Sequence, residues 1–115
     1  MSDAPILSPV NEVADLASAS DFEKKHTPHI DIDEADGSYV ITVTVGWDVP
    51  HPNQPDHYIT WIEVLAGGAP IARFDLSPVA TSPTVSVVAN LDPGTVVRAV
   101  EHCNLHGLWA AEVTV

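Results

Sequence analysis

Five side chains able to hold a soft or borderline metal ion fall in three short segments of this chain. Cys103 and His106 stand as Cys-x2-His in "VEHCNLHGLW", His51 and His57 bracket "HPNQPDH" as His-x5-His, and His26 follows "EKK" and precedes "TP". Cys103 is the chain's single cysteine, and its thiol admits three readings: a nucleophile activated by a histidine, a metal ligand, or a small buried hydrophobe. The nucleophile lacks a supporting signature, because no helix N-terminus is predicted after Cys103 to depress its pKa and no strand-to-helix elbow frames it. The Cys-x2-His spacing weakens the buried-hydrophobe reading, since it lets both side chains meet one ion across a turn. A structural zinc site closes with four ligands, whereas five candidates compete here; five suit iron better and leave one octahedral position for a small ligand. His29 and His102 are read as surface or hydrogen-bonded residues. His102 adjoins Cys103 in a strand, so its side chain points to the opposite face.

The elements that must gather these residues are strands. From Tyr39 onward β-branched and aromatic residues come in short runs, "YVITVTVGW", "HYITWIEVL", "APIARFDL", "TVSVVANL", "TVVRAVEHC" and "LWAAEVTV", separated by turn-forming Pro, Gly, Asn and Asp. "IDIDEADGSYV" adds a seventh strand, with Asp36-Gly37 as a tight hairpin turn. Alternation puts Ile41, Val43 and Val45 on one face and Thr42 and Thr44 on the other. The expected fold is all-β, an immunoglobulin-like antiparallel sandwich of about seven strands. Residues 1–20 mix Pro, Ser, Asp and Ala without sustained periodicity and read as an irregular extension, with a short helical turn at most in "VNEVADLAS". Residues 21–115 read as the metal-binding domain. The candidate ligands sit at strand ends or in loops, where a sandwich can bring them to one site.

At 115 residues the chain can bury one apolar core. Sixteen acids against four bases, Lys24, Lys25, Arg73 and Arg98, give a formal charge of −12, which disfavours nucleic acid, a polyanion that needs a basic footprint. No stretch approaches the roughly 20 apolar residues of a membrane span, and "MSDAPILSPV" has neither the basic start nor the apolar run of a secretory signal. A cytoplasmic protein without membrane or nucleic-acid partners is expected. Two of the four cations immediately precede His26, a local positive spot in a negative chain.

"EKKHTPHI", "HPNQPDHYITWIEV" and "EHCNLHGLW" together resemble the superoxide reductases, the catalytic domain of desulfoferrodoxin and of neelaredoxin, over residues 22 to 115. The resemblance implies a mononuclear iron, Fe2+ or Fe3+, held equatorially by His26, His51, His57 and His106 with the Cys103 thiolate axial. It implies one-electron reduction of superoxide to hydrogen peroxide. The four-cysteine domain of two-iron members has no counterpart in a chain with one cysteine, so the one-iron type is implied, with electrons from a separate donor such as rubredoxin. Relatives of that type suggest a homodimer or homotetramer. The family motif commonly reads Glu-Lys-His, the glutamate capping oxidised iron and the lysine assisting substrate, so Lys25 and Glu23 are the candidate catalytic residues. Lys25 matches directly, whereas Glu23 lies one residue further upstream with Lys24 in its place. In a loop that shift turns the carboxylate away from the iron, and a one-residue bulge would restore it. Two other readings compete: a cupredoxin-like copper module, whose axial methionine is missing because the only methionine is Met1, and a plain immunoglobulin-like binding domain.

Overall fold

Alternation dictates most of the architecture. The computed structural model describes residues 10–115; the rest of the expected extension lies outside the described residues. The described strands are β1 (Asn11–Glu12), β2 (Pro28–Ala35), β3 (Ser38–Val45), β4 (Ile59–Ala66), β5 (Ala69–Asp75), β6 (Thr84–Ala89), β7 (Val96–Cys103) and β8 (Gly107–Thr114). They form two sheets, β1-β8-β7-β4-β5 and β2-β3-β6. All pairings are antiparallel except that of β1 with β8. In β3 the residues Tyr39, Ile41, Val43 and Val45 are buried while Ser38, Val40, Thr42 and Thr44 are only partly covered, the period of two that a half-buried strand requires. Ile59, Ile62 and Val64 of β4 join Val97, Ala99 and Cys103 of β7 in the same core. Each large aliphatic side chain buried there contributes about 1.5–3 kcal/mol. Asp36 and Gly37 have φ of 51° and 82°, as a type I′ hairpin turn demands. Among the described residues no helix is long and apolar enough to cross a membrane.

The segment just before β2, expected as a loop around Glu23, is helical instead. Residues Asp21–His26 form a helix, α1, whose N-cap is Ser20. The Ser20 hydroxyl accepts from the Glu23 N–H at 3.1 Å, and the Glu23 carboxylate accepts from the Ser20 N–H at 3.0 Å, a reciprocal capping box. Six residues are too few for a hydrophobic period to show, so the Ser-x-x-Glu pattern was the legible signal. Further upstream, β1 lies parallel to β8, and Asn11 Nδ2 donates to the Leu108 carbonyl at 2.9 Å. Arg98 joins Glu12 at 2.6 Å and Glu112 at 3.2 Å, tying the extension to the large sheet. A short 3-10 turn follows at Leu16–Ser18.

One irregularity in the large sheet bears on function. Ile59 faces Cys103 and Trp61 faces His102, so Thr60 is an extra residue in β4. This bulge lets Ile59 and Ile62, three apart in sequence, both enter the core. The Thr60 hydroxyl fills the gap, 2.7 Å from His102 Nδ1 and 3.1 Å from the His102 carbonyl oxygen. The bulge thus fixes the start of β4 against the end of β7, where two candidate ligand segments begin.

Candidate metal centre

Three segments meet where these strands end. His26 closes α1, His51 and His57 lie between β3 and β4, Cys103 ends β7, and His106 sits in the turn into β8. The ligand atoms of His26, His57, Cys103 and His106 all lie within 4.8 Å of one another. His51 stands beside them, its ring centroid 4.8 Å from those of both His26 and His57. All five candidates from the spacing are therefore neighbours. His29 and His102 are elsewhere: His29 stacks on Trp47 at 4.1 Å, and His102 on Trp61 at 5.8 Å.

Hydrogen bonds determine which nitrogens face inward. His26 Nδ1 donates to the Phe22 carbonyl and His51 Nδ1 to the Pro52 carbonyl, each at 2.7 Å. Carbonyls only accept, so both rings must be protonated at Nδ1 and present a bare Nε2. His26 Nε2 lies 3.1 Å from His106 Nδ1, which is 3.8 Å from Cys103 Sγ. The Nε2 atoms of His51 and His57 are buried without a partner. Nitrogen lone pairs and a sulfur thus share a space whose walls are buried, His26 and Cys103 at 0 % exposure and His51 at 8 %. Buried polar atoms are ordinarily paired, so this donor set fits a soft or borderline cation.

The electrostatics agree. Burial pushes His26 down from 6.5 to about 4 and His51 to about 3, and it lowers His57 and His106 as well. The Lys25 ammonium adds to the depression at all four rings. Neutral imidazole is the form that ligates. Burial raises the Cys103 thiol, while hydrogen bonds from the Leu105 and His106 N–H groups and the charge of Lys25 act in the opposite direction. A cation at the site would add to that opposition and favour the thiolate.

Aromatic packing holds the rings in place. Trp109 stacks on His26 at 4.9 Å and donates its indole N–H to the His106 carbonyl at 3.1 Å. Phe22 presses edge-on against His106 at 5.0 Å and against Trp109 at 5.7 Å. The Lys25 ammonium sits 5.8 Å above the Phe22 ring, on the helix that carries His26. Glu23 is turned to the helix N-terminus by the capping box. Lys24 lines a surface groove with Glu12, Trp47 and Asp48, and none of the five candidate ligands borders it.

Three contributors were not singled out from the sequence. Trp109 and Phe22 are ordinary apolar residues in sequence, and only the fold brings them against imidazoles. Glu101 is fully buried, with both carboxylate oxygens lacking a partner; burial raises its pKa well above the usual range. Its position two residues before Cys103 was the available signal, since strand alternation places both on one face.

The comparisons with known proteins agree with this geometry. The family model described as Desulfoferrodoxin matches residues 18–112. A putative superoxide reductase of Thermotoga maritima is 33% identical over 120 residues, spanning 85% of this chain and 92% of its own. Neelaredoxin of Megalodesulfovibrio gigas is 29% identical over 126 residues, spanning 90% and 97%. Among solved structures, the superoxide reductase of Nanoarchaeum equitans superposes with a TM-score of 0.74 at 33% identity, covering 80% of this chain and 94% of that one. The chain belongs to the desulfoferrodoxin family.

Two outcomes follow from this geometry. A Cβ added at Gly46, where φ is 89°, would lie 2.5 Å from the His51 backbone nitrogen, closer than any real contact. Gly46→Ala should displace His51, costing about 1–3 kcal/mol in denaturant unfolding and lowering metal content; full metal content in a folded variant would refute the close-approach argument. The depressed histidines also give the metal-free protein a pH-dependent stability. Because their folded pKa values lie below the unfolded value of 6.5, the unfolded chain binds more protons in between. Their contribution is complete above 6.5 and is lost as pH falls toward about 4 for His26 and about 3 for His51. His51→Gln should flatten the fall of the unfolding midpoint between pH 6.5 and pH 4, and a slope equal to that of the unaltered protein would contradict the burial effect.

Proposed function

We propose that this protein is a superoxide reductase, an oxidoreductase that reduces superoxide to hydrogen peroxide. The observation that carries the reading is the convergence of bare imidazole nitrogens on a buried cysteine sulfur beside Lys25, in a chain of the desulfoferrodoxin family. His26, His51, His57, His106 and Cys103 would hold a single iron. That iron, when bound, supplies the one electron that converts superoxide and two protons to hydrogen peroxide, and an external donor such as rubredoxin returns it.

The chain's own residues prepare that chemistry. Burial keeps the four imidazoles neutral, so the donor set carries only the thiolate charge. The Leu105 and His106 N–H groups hydrogen-bond the sulfur and moderate how much electron density it donates. Lys25, braced over Phe22, attracts the anionic substrate and orients water that can protonate it. Glu23 acts through the fold in this reading: its carboxylate caps α1 and so positions His26 and Lys25, rather than meeting the metal. The single cysteine leaves no thiolates for a four-cysteine iron site in this chain, which supports assigning the donor to another protein. The cupredoxin and plain binding-domain readings are not favoured by the family membership.

Protein purified under reducing conditions should contain about one iron per chain. Oxidation should produce a visible thiolate-to-iron band that Cys103→Ser abolishes; a surviving band would remove Cys103 from the centre. Superoxide should be consumed with peroxide formed and no matching dioxygen. Equal yields of dioxygen and peroxide without added reductant would mean dismutation and would sink the reductase reading.

The roles of the two charged residues separate experimentally. Lys25→Ala should slow superoxide capture by roughly tenfold at low ionic strength, with the difference shrinking as salt screens the attraction. Glu23→Ala should leave the ferric spectrum at neutral pH as it was while costing about 1 kcal/mol of stability from the lost cap. A clear spectral change would make Glu23 a ligand.

A further inference from the structure

His57 differs from its neighbours in how it is held. His26 and His51 each anchor a ring nitrogen on a carbonyl, and Trp109 ties down the His106 backbone. Among the described residues no side-chain hydrogen bond holds the His57 ring. Its own backbone only pairs with Gln54, the N–H donating at 3.1 Å and the carbonyl accepting at 2.9 Å, a local turn that does not locate it relative to the other ligands.

The link comes from Asn104. Its side-chain oxygen accepts from the Tyr58 N–H at 2.9 Å, and its side-chain NH2 donates to the Asp56 carbonyl at 2.9 Å. Its backbone N–H donates to the Tyr58 carbonyl at 3.2 Å. One side chain therefore grips the residues immediately before and after His57, while its own backbone immediately follows Cys103. An asparagine in a turn usually bonds locally, to backbone about two residues on; here both side-chain bonds reach across 46 and 48 residues. With donor and acceptor both used, the amide orientation is also determined, since a flipped amide would oppose like groups at both ends.

We propose that Asn104 is a positioning residue that sets His57 against Cys103, coupling one imidazole ligand to the thiolate through the hydrogen bonds to Asp56 and Tyr58. The inference rests on the metal-centre reading above. Ligand placement by such outer contacts commonly accounts for ten- to a hundredfold in metal affinity. It also explains why His57 needs no anchor on its ring.

Cobalt(II) serves as the probe, with affinity read by chelator competition and thiolate contact by the sulfur-to-cobalt band. Asn104→Ala should weaken cobalt binding at least tenfold and shift the band. Asn104→Asp keeps the acceptor for Tyr58 but loses the donor to Asp56, so its affinity should fall between the two. The decisive comparison is the double substitution. In a His57→Ala background, Asn104→Ala should cost almost nothing further, because the residue it positions is gone. An equal cost in both backgrounds would reveal a general structural role and overturn the proposal, as would unaltered affinity and band in Asn104→Ala. Should Asn104→Ala fail to fold, Asn104→Asp carries the test, and binding as tight as in the unaltered protein would overturn the proposal. Failure of the unaltered protein to bind cobalt or iron would instead refute the metal-centre reading itself.

Discussion

Electron pairs aimed at one another in a dry space repel unless something positive lies between them. His26 Nε2 and His106 Nδ1 are 3.1 Å apart, with Cys103 Sγ within reach of the latter and two further Nε2 atoms buried nearby. Without a metal, one proton can bridge the closest pair of nitrogens, but it cannot satisfy the remaining donors. A cation would satisfy them together, which makes binding energy at such a site also folding energy. The surrounding structure can be understood as what holds this otherwise unfavourable arrangement together. The core of the sandwich, from Ile41 to Val97, supplies stability that the site itself does not.

The holding is done by elements of different kinds. The end of β7 and the start of β4 are fixed to each other by sheet pairing, and the Thr60 bulge sets their offset. The 50–58 segment is not a strand, and it relies on close packing at Gly46 and on the Asn104 bonds. α1 is too short to be stable by itself; its capping box and the stacking of His26 on Trp109 hold it. Glu101 illustrates the limit of what the core tolerates. A charged carboxylate on the same face as Cys103 opposes formation of the thiolate, and burial acts against that charge by raising the Glu101 pKa.

Legibility in the sequence followed the range of the forces involved. Strands β3 to β8 were readable because alternation is local and each run is bounded by Pro, Gly, Asn or Asp. The spacing of His51, His57, Cys103 and His106 singled out residues that do lie together, since short separations across turns leave few other arrangements. His26 was placed only through its flanking residues, because its approach depends on α1, which periodicity could not reveal over six residues. The expectation of a loop there misjudged the Glu23 environment: Ser20 captures the carboxylate for the cap. The short parallel pairing of β1 was not legible either, because it depends on Arg98 meeting Glu12 across 86 residues. Phe22, Trp109 and Asn104 act through contacts that no local pattern encodes.

Charge is the remaining constraint, and it works at two scales. The chain as a whole carries −12, a field that opposes the approach of any small anion. At the site the balance is reversed. A divalent ion with neutral imidazoles and one thiolate would carry a net charge of about +1, and Lys25 adds another close by. Arg98 does not contribute to this spot, since Glu12 and Glu112 share its charge on the large sheet. At physiological salt, attraction and repulsion between exposed charges fade beyond about 8 Å, so an anion feels the distant acids weakly and the few charges at the entrance strongly. Turning Glu23 to its helix cap preserves that local excess, because its carboxylate, ionised and facing the donor set, would reduce it. The same arrangement that keeps the imidazoles neutral therefore also suits the site to an anionic substrate in an acidic protein.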